Sequence, residues 1–368
     1  MRRKSILVLA VAFVFMASMA MSAFGDTAIE MFLKGTLHKT PPYTVGLSNG
    51  LITHSWRTQM VNDVEKEFQL YKGMGVVNKL IVQHAGNEVE LQISQIRNLI
   101  NSNVDLLLIN PNSQSALTPV IEEANAKGIL VIVFDQRINS PDCLQVYTDI
   151  YNWSVEVDSY VFKKMGGKGS VYYLSGYDGS PANIDRDKAF YDTVKKYPAI
   201  KVLGKSNGNW DPATSQQVMS NVLAAVPKMD GLVTHDGEAL GSIRAFDAAG
   251  RALPMMNGEA MLPYLEYWLK HKKEGFSSFA IENGPGYTIT VALGMGIRIL
   301  EGKQVKQGFF KPDAEMHVSS NTIWAVPLKN YITDDNVQKV YNDHMADRGI
   351  LEYIDNWYSQ EQLDALFK

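Results

Sequence analysis

An α/β chain built from two similar doubly wound parallel-sheet lobes is what this sequence predicts, on three observations. Apolar segments of strand length alternate with segments whose apolar residues recur at helical spacing. The strand segments are apolar throughout, so both faces are covered, as in a parallel sheet between helices. The alternation restarts after Asp149, and 368 residues exceed what a single hydrophobic core holds.

The chain opens Met1-Arg2-Arg3-Lys4, runs apolar over 6–16, and reaches small residues at Ala23 and Gly25. A basic start, an apolar run and small residues before the break predict a secretory signal peptide over 1–25. The apolar run is shorter than a membrane-spanning helix requires. The expected product is a free periplasmic protein starting near Asp26. No later segment reads as long and apolar enough to span a bilayer.

Residues 26–42 form a lead-in closed by Pro41-Pro42. A buried strand is predicted over 43–47. Trp56, Met60, Val64, Phe68 and Tyr71 mark the apolar face of a helix over 55–71. A strand at 80–82 and a helix at 88–100 follow, the latter with Val89, Ile93, Ile96 and Ile100 on one face. Next come a strand at 105–110, a helix near 115–127 ended by Gly128, and a strand at 129–134. The second half repeats the rhythm. Helices are predicted at 153–164, 185–197, 213–225, 238–249 and 263–272. Strands are predicted at 170–174, 200–203, 231–234, 253–256 and 276–281. A long helix at 287–300 precedes two short strands near Met316 and Ile323. The tail from 334 to 368 reads as mostly helical, and its Tyr341, Tyr353, Trp357 and Phe367 predict packing onto a lobe.

In open α/β sheets ligands bind beyond the carboxyl ends of the strands. Those positions hold Ser48-Asn49-Gly50, Thr53-His54-Ser55-Trp56, Asn110-Pro111-Asn112-Ser113 and Asp135-Gln136-Arg137 in the first half. The second half supplies Ser175–Ser180, Asn209-Trp210-Asp211, His235-Asp236-Gly237-Glu238, Asn257-Gly258-Glu259 and Glu282-Asn283-Gly284. Amides, carboxylates and hydroxyls suit a ligand with adjacent hydroxyls, and aromatic faces suit the C–H faces of a sugar ring. The same residue types also make turns and helix caps, the competing reading for Ser48, Asn110, Ser113 and Asp211. For Trp56 the competing reading is a helix core.

Four stretches carry a family resemblance: 105–111 (DLLLINP), 129–136 (ILVIVFDQ), 173–190 with its Gly-rich turn and Arg186 four residues before Phe190, and 230–250 (DGLVTHDGEALGSIRAFDAAG). Over about 42–326 the chain resembles the type I periplasmic sugar-binding proteins of ABC transporters, the group that includes the ribose-binding protein and the sensing core of lac-type repressors. The resemblance implies ligand-binding roles. Trp56 takes the place of a stacking phenylalanine, and Trp210 that of the aromatic on the ring's other face. Asp135 matches the carboxylate that accepts from sugar hydroxyls, and Arg186 the arginine that donates to sugar oxygens. His235 or Asp236, then Asn257 and Asn283, fill the remaining strand-end positions, and Asn49 and Gln136 complete the set. Gln136, His235 and Asn257 depart from the ribose pattern, yet each still hydrogen-bonds. The resemblance also implies a three-segment hinge, with crossovers near Asp149, near Asn283 and between about 313 and 320. The lobes would be 42–149 plus 284–315, and 150–283 plus 316–368, the tail packing on the second. Arg186 and Asp135 are expected on opposite lobes, and truncating either is expected to weaken binding without altering folding.

The function so implied is capture of a monosaccharide or polyol and its delivery to a membrane permease. A sensor docking on a chemoreceptor or histidine kinase would use the same closed form. A monomer is expected. Thirty-five Lys and Arg against 39 Asp and Glu give a net charge of −4, which argues against a nucleic-acid partner. A DNA-binding repressor would carry a helix-turn-helix in place of the signal peptide. Cys143 is the single cysteine, so an intrachain disulfide and a cysteine-rich metal site within the chain are excluded. No HExxH or P-loop pattern occurs, the histidines form no i,i+4 pair, and Ile289 stands where a dinucleotide fingerprint needs a glycine after Gly284-Pro285-Gly286. His235 beside Asp236 could form an acid–base pair. Neighbours on a strand point to opposite faces, however, so one of them is expected to meet the ligand. No cofactor, metal or enzymatic activity is expected.

Overall fold

A computed structural model describes residues 31, 33–52, 55–309, 322–324, 330–347, 353–355 and 357–368. The predicted signal peptide, Thr53, His54 and the strand near Met316 lie outside the described residues. Among the described residues no helix is long and apolar enough to cross a membrane.

The first lobe alternates β1 (Tyr43–Asn49), α1 (Ser55–Gly73), β2 (Val77–His84), α2 (Val89–Asn101), β3 (Leu106–Asn110), α3 (Thr118–Ala126), β4 (Leu130–Asp135) and β5 (Leu144–Tyr147). The second alternates α4 (Ile150–Lys164), β6 (Lys168–Ser175), α5 (Pro181–Lys195), β7 (Ala199–Asn207), α6 (Pro212–Ala225), β8 (Gly231–Val233), α7 (Glu238–Ala248), β9 (Met255–Met256) and α8 (Leu262–His271). Then come β10 (Ala280–Ile281), α9 (Gly286–Leu300), β11 (Thr322–Trp324), β12 (Tyr331–Ile332), α10 (Val337–Asp347) and α11 (Gln360–Asp364).

The main sheet of each lobe is parallel, in the orders β2-β1-β3-β4-β5-β11 and β7-β6-β8-β9, and β10 and β12 form a short antiparallel pair. Each lobe thus starts with its first strand inside and its second at the edge, which creates a switch point where ligand crevices form. Strands β3 and β4 are buried along their whole length. One face of the first sheet packs Leu107, Ile109, Val131 and Val133 against Ile96, Leu99 and Ile100 of α2. The other packs Val45, Leu47, Leu108 and Phe134 against Met60, Val64 and Phe68 of α1 and Ile289 and Leu293 of α9. Polar caps start the helices nearest the crevice. Asp149, Ser180 and Asp211 accept backbone N–H groups of α4, α5 and α6 at 3.0, 3.2 and 2.7 Å.

Three expectations need correction. Strand β5 is absent from the predicted elements, because four residues carry too little pattern to stand out. Second, β11 pairs with β5, so residues 322–324 belong to the first sheet and the chain recrosses only after Trp324. Third, the tail does not stay on the second lobe. Helix α10 packs on α8, whereas α11 returns to α9, where Arg298 Nε donates to Asp364 Oδ1 at 2.8 Å and Val305 bridges to Phe367. Among the described residues the chain thus changes lobe near Asp149, near Asn283, between Trp324 and Tyr331, and between Tyr353 and Gln360, one change more than expected.

Candidate functional site

The carboxyl ends of the two sheets face each other, and the residues just beyond them are held in unusual backbone conformations. Of the six described non-glycine residues with positive φ, four are Asp135 (63°), Asn209 (57°), Trp210 (56°) and Asp236 (57°), all at these strand ends. Left-handed backbone is costly for a bulky residue such as tryptophan, and it persists only where the surroundings over-determine it. Two buried glutamates supply part of that constraint. Glu238 accepts Trp210 N–H at 3.2 Å and His235 N–H at 3.0 Å, and Glu259 accepts Asp236 N–H at 3.0 Å. Gly176 supplies another part: a Cβ there would sit 2.0 Å from the Trp210 ring.

Between the lobes lies a narrow cavity of about 20 Å³, well below the usual size of a small-molecule site. Trp56, Asp135, Arg186, Trp210, Asp236 and Asn283 line it, joined by Arg57, Ile150 and Ala182. Trp56 Nε1 donates to Asn283 O at 2.8 Å, linking the start of α1 to the second crossover. Asp135 Oδ2 pairs with Arg57 Nη2 at 2.9 Å and accepts from Asn110 Nδ2 at 3.0 Å. Burial pushes the Asp135 carboxyl up, while the Arg57 and Arg186 charges oppose that rise.

Arg186 projects from the second lobe and is 4% exposed. Its guanidinium lies 4.9 Å from the Trp210 ring and 5.3 Å from the Trp153 ring, within cation–π range of both. It makes no hydrogen bond with any described residue, and Nε is fully buried. Two aromatic faces hold this cation while its donors remain available to the cavity.

The remaining predicted residues sit behind the wall. Asn49 is fully buried and donates to Leu51 O at 2.7 Å. Gln136 joins the lobes instead of lining the cavity: its Oε1 accepts Ala182 N–H at 3.3 Å and its Nε2 donates to Asn110 Oδ1 at 3.0 Å. Asn257 pairs with the Thr234 backbone, accepting at 3.1 Å and donating at 2.7 Å. His235 turns away from Asp236 into the second lobe, against Trp153 and Tyr173, with Nε2 3.6 Å from Asp158 Oδ1. Burial pushes its pKa well below the usual histidine value, so the ring is neutral at pH 7. Of this adjacent pair, Asp236 faces the cavity.

Of the strand-end polar residues with a competing reading, Asp211 is a helix cap and Ser113 Oγ accepts turn N–H groups of Ser115 and Ala116. Arg57, Ile150 and Ala182 are missing from the predicted set. Arg57 follows Trp56 on a helix turn where apolar spacing gives a charged side chain no reason to be buried. Outside the cavity, Arg137 grips Asp185 across the lobes with two bonds of 2.9 and 2.8 Å, and Tyr147 OH donates to the same carboxylate at 2.5 Å. No cluster of three metal-ligating side chains occurs among the described residues.

Comparison with known proteins agrees with this architecture. The chain is 29% identical over 277 residues to the xylitol-binding protein of Mycolicibacterium smegmatis, covering 73% of each. A solute-binding protein of an ABC transporter from Thermobispora bispora superposes with a TM-score of 0.73 at 24% identity, over 88% of this chain and 94% of that one. The fructose-binding periplasmic domain of a hybrid two-component system superposes with a TM-score of 0.67 at 25% identity, over 83% and 95%. The family described as periplasmic binding protein domain matches residues 45–304. With two parallel-sheet lobes closing on a cavity at their strand ends, the chain belongs to the periplasmic binding protein family.

Proposed function

We propose that this protein binds a monosaccharide or polyol between its lobes in the periplasm and delivers it to the permease of an ABC importer. The observation that carries this reading is Arg186, a buried cation without a hydrogen-bonding partner among the described residues, facing Asp135 and Asp236 across a cavity flanked by two tryptophans. A sugar hydroxyl both donates and accepts, so one ligand can satisfy the guanidinium of one lobe and the carboxylate of the other. Two arginines and two aspartates balance in the lining, which suits an uncharged ligand over a sugar phosphate. The relatives named above, one for xylitol and one for fructose, support this class of ligand. The protein acts as a binder that returns its ligand unchanged. It works as a monomer without cofactor or metal, and residues 1–25 direct its export.

A thermal-shift screen of pentoses, hexoses and polyols tests the proposal. A ligand present at 100 times its Kd stabilises the native state by about 2.7 kcal/mol. Recovery of the hit unchanged after incubation separates binder from enzyme, and no hit across the panel refutes the reading. The likeness to a two-component sensor domain favours one second reading, docking of the closed form on a membrane receptor. Pull-down by a permease or by a receptor periplasmic domain, with and without the hit, decides between them.

A further inference from the structure

Residues 353–355 lie outside the stretch the family profile matches, yet they touch both lobes. From the first lobe, Gln59 of α1 accepts Tyr353 N–H at 2.9 Å and donates to Tyr353 O at 3.3 Å. One side-chain amide thus satisfies both backbone groups of one residue, as a neighbouring strand would. From the second lobe, Met261 bridges to Tyr353, and Ala260 O accepts Ile354 N–H at 2.8 Å. Asp355 accepts Gly286 N–H at 2.7 Å where α9 begins. A Cβ at Gly286 would fall 2.2 Å from Trp357 Nε1, so glycine there lets the tail pass. The Tyr353 side chain is buried, and its hydroxyl donates to Oδ1 of Asp236, which lines the cavity.

We propose that the C-terminal segment supplies a positioning residue to the ligand cavity: Tyr353 fixes the Asp236 carboxylate, and Gln59 fixes Tyr353. The inference rests on this cavity being the sugar or polyol site proposed above. Asp236 sits at positive φ, and the contacts that hold it there come from three directions. Glu259 accepts its N–H, Gly237 N–H donates to Oδ1 at 3.1 Å, and the phenol arrives from the tail. Burial, and then the Asp236 charge, raise the Tyr353 pKa well above its usual value, so the phenol stays a donor. A carboxylate fixed in direction accepts from a hydroxyl of one configuration better than from its epimer. The tail therefore contributes to which sugar the cavity prefers.

The test uses Tyr353→Phe, which removes one hydroxyl, and Gln59→Met, which keeps the volume and removes the amide. Xylitol, D-ribose and D-xylose serve as calorimetric probes, and hydrogen exchange is followed in the ligand-free proteins. In Tyr353→Phe the tightest of the three probes is expected to weaken about tenfold to a hundredfold. The ratio of D-ribose to D-xylose affinity changes, and exchange over residues 234–239 accelerates while residues 106–110 keep their protection. Gln59→Met shifts each readout the same way by less. Wild-type affinities for a probe the wild type binds, or unchanged exchange over 234–239, overturn the proposal. If the wild type binds none of the three, the ligand reading fails for these sugars, and the exchange result still decides the role of Tyr353.

Discussion

Arg186 and Asp135 look alike in sequence, as polar residues after strands, but their surroundings predict opposite consequences for stability. Arg186 is buried without a hydrogen bond from the described protein, so Arg186→Met removes a desolvated charge that the ligand-free fold gains little from. The ligand-free melting temperature is expected to hold or rise, while calorimetry shows affinity falling by about 1.5–3 kcal/mol for a lost bond to a charged group. Asp135 is different, because Arg57 pairs with it at 2.9 Å in a buried setting. Asp135→Ala strands Arg57, and breaking such a pair costs about 3–5 kcal/mol of stability. That corrects the expectation that either truncation would spare folding; equal melting temperatures for Asp135→Ala and wild type would refute the new one. The sequence could place Asp135 at the end of a first-lobe strand and Arg186 in the helix that follows a second-lobe strand, as the structure has them. It could not reveal Arg57, whose burial comes from the partner that folding brings to it.

At the scale of elements, long periodic segments were legible, whereas two short paired strands were not. Helix α1 declares itself through Trp56, Met60, Val64 and Phe68, all buried. Strands β5 and β12 do not, because a strand of two to four residues is defined by its neighbour and not by its own pattern. The strand ends were legible as a set, yet only side-chain direction separates Asp236 from His235, or Trp210 from the Glu238 that braces it. Those buried braces make stability depend on pH. Burial, reinforced by Asp236, pushes Glu259 up to about 8, and burial also raises Glu238 and Asp158 well above the usual carboxylate range. The folded chain then keeps protons that the unfolded chain has already lost, so stability falls as pH rises from about 4.3 through the folded values. Neutral buried His235 works the other way, but only below about 6.5, where its unfolded form is protonated. The melting temperature is therefore expected to fall between pH 7 and 9, and Glu259→Gln to flatten that slope. A slope identical in wild type and Glu259→Gln would place the titration elsewhere.

For the whole molecule, the question is what holds two lobes closed when only crossing segments of the chain connect them. The structure is a closed form: Arg137 and Tyr147 of the first lobe grip Asp185 of the second, Gln136 reaches the Ala182 backbone, and Trp56 bonds the crossover at Asn283. None of the Arg137, Tyr147 or Asp185 side chains lines the cavity. Their bonds can therefore favour closure without touching a ligand, and apparent affinity scales with the fraction of molecules already closed. Arg137→Met removes both charged bonds and leaves the cavity intact. It is expected to enlarge the ligand-free radius of gyration in small-angle scattering. Saturating ligand restores the wild-type liganded radius, because a ligand that prefers the closed state pulls the population back. Affinity drops with the closed fraction, and the cavity contacts keep their own energies, so Arg137→Met and Arg186→Met should combine additively when neither distorts the other's site. If Arg137→Met leaves both the ligand-free radius and the affinity at wild-type values, the Arg137–Asp185 contact is a bystander of closure, and the bias must come from the crossing segments themselves.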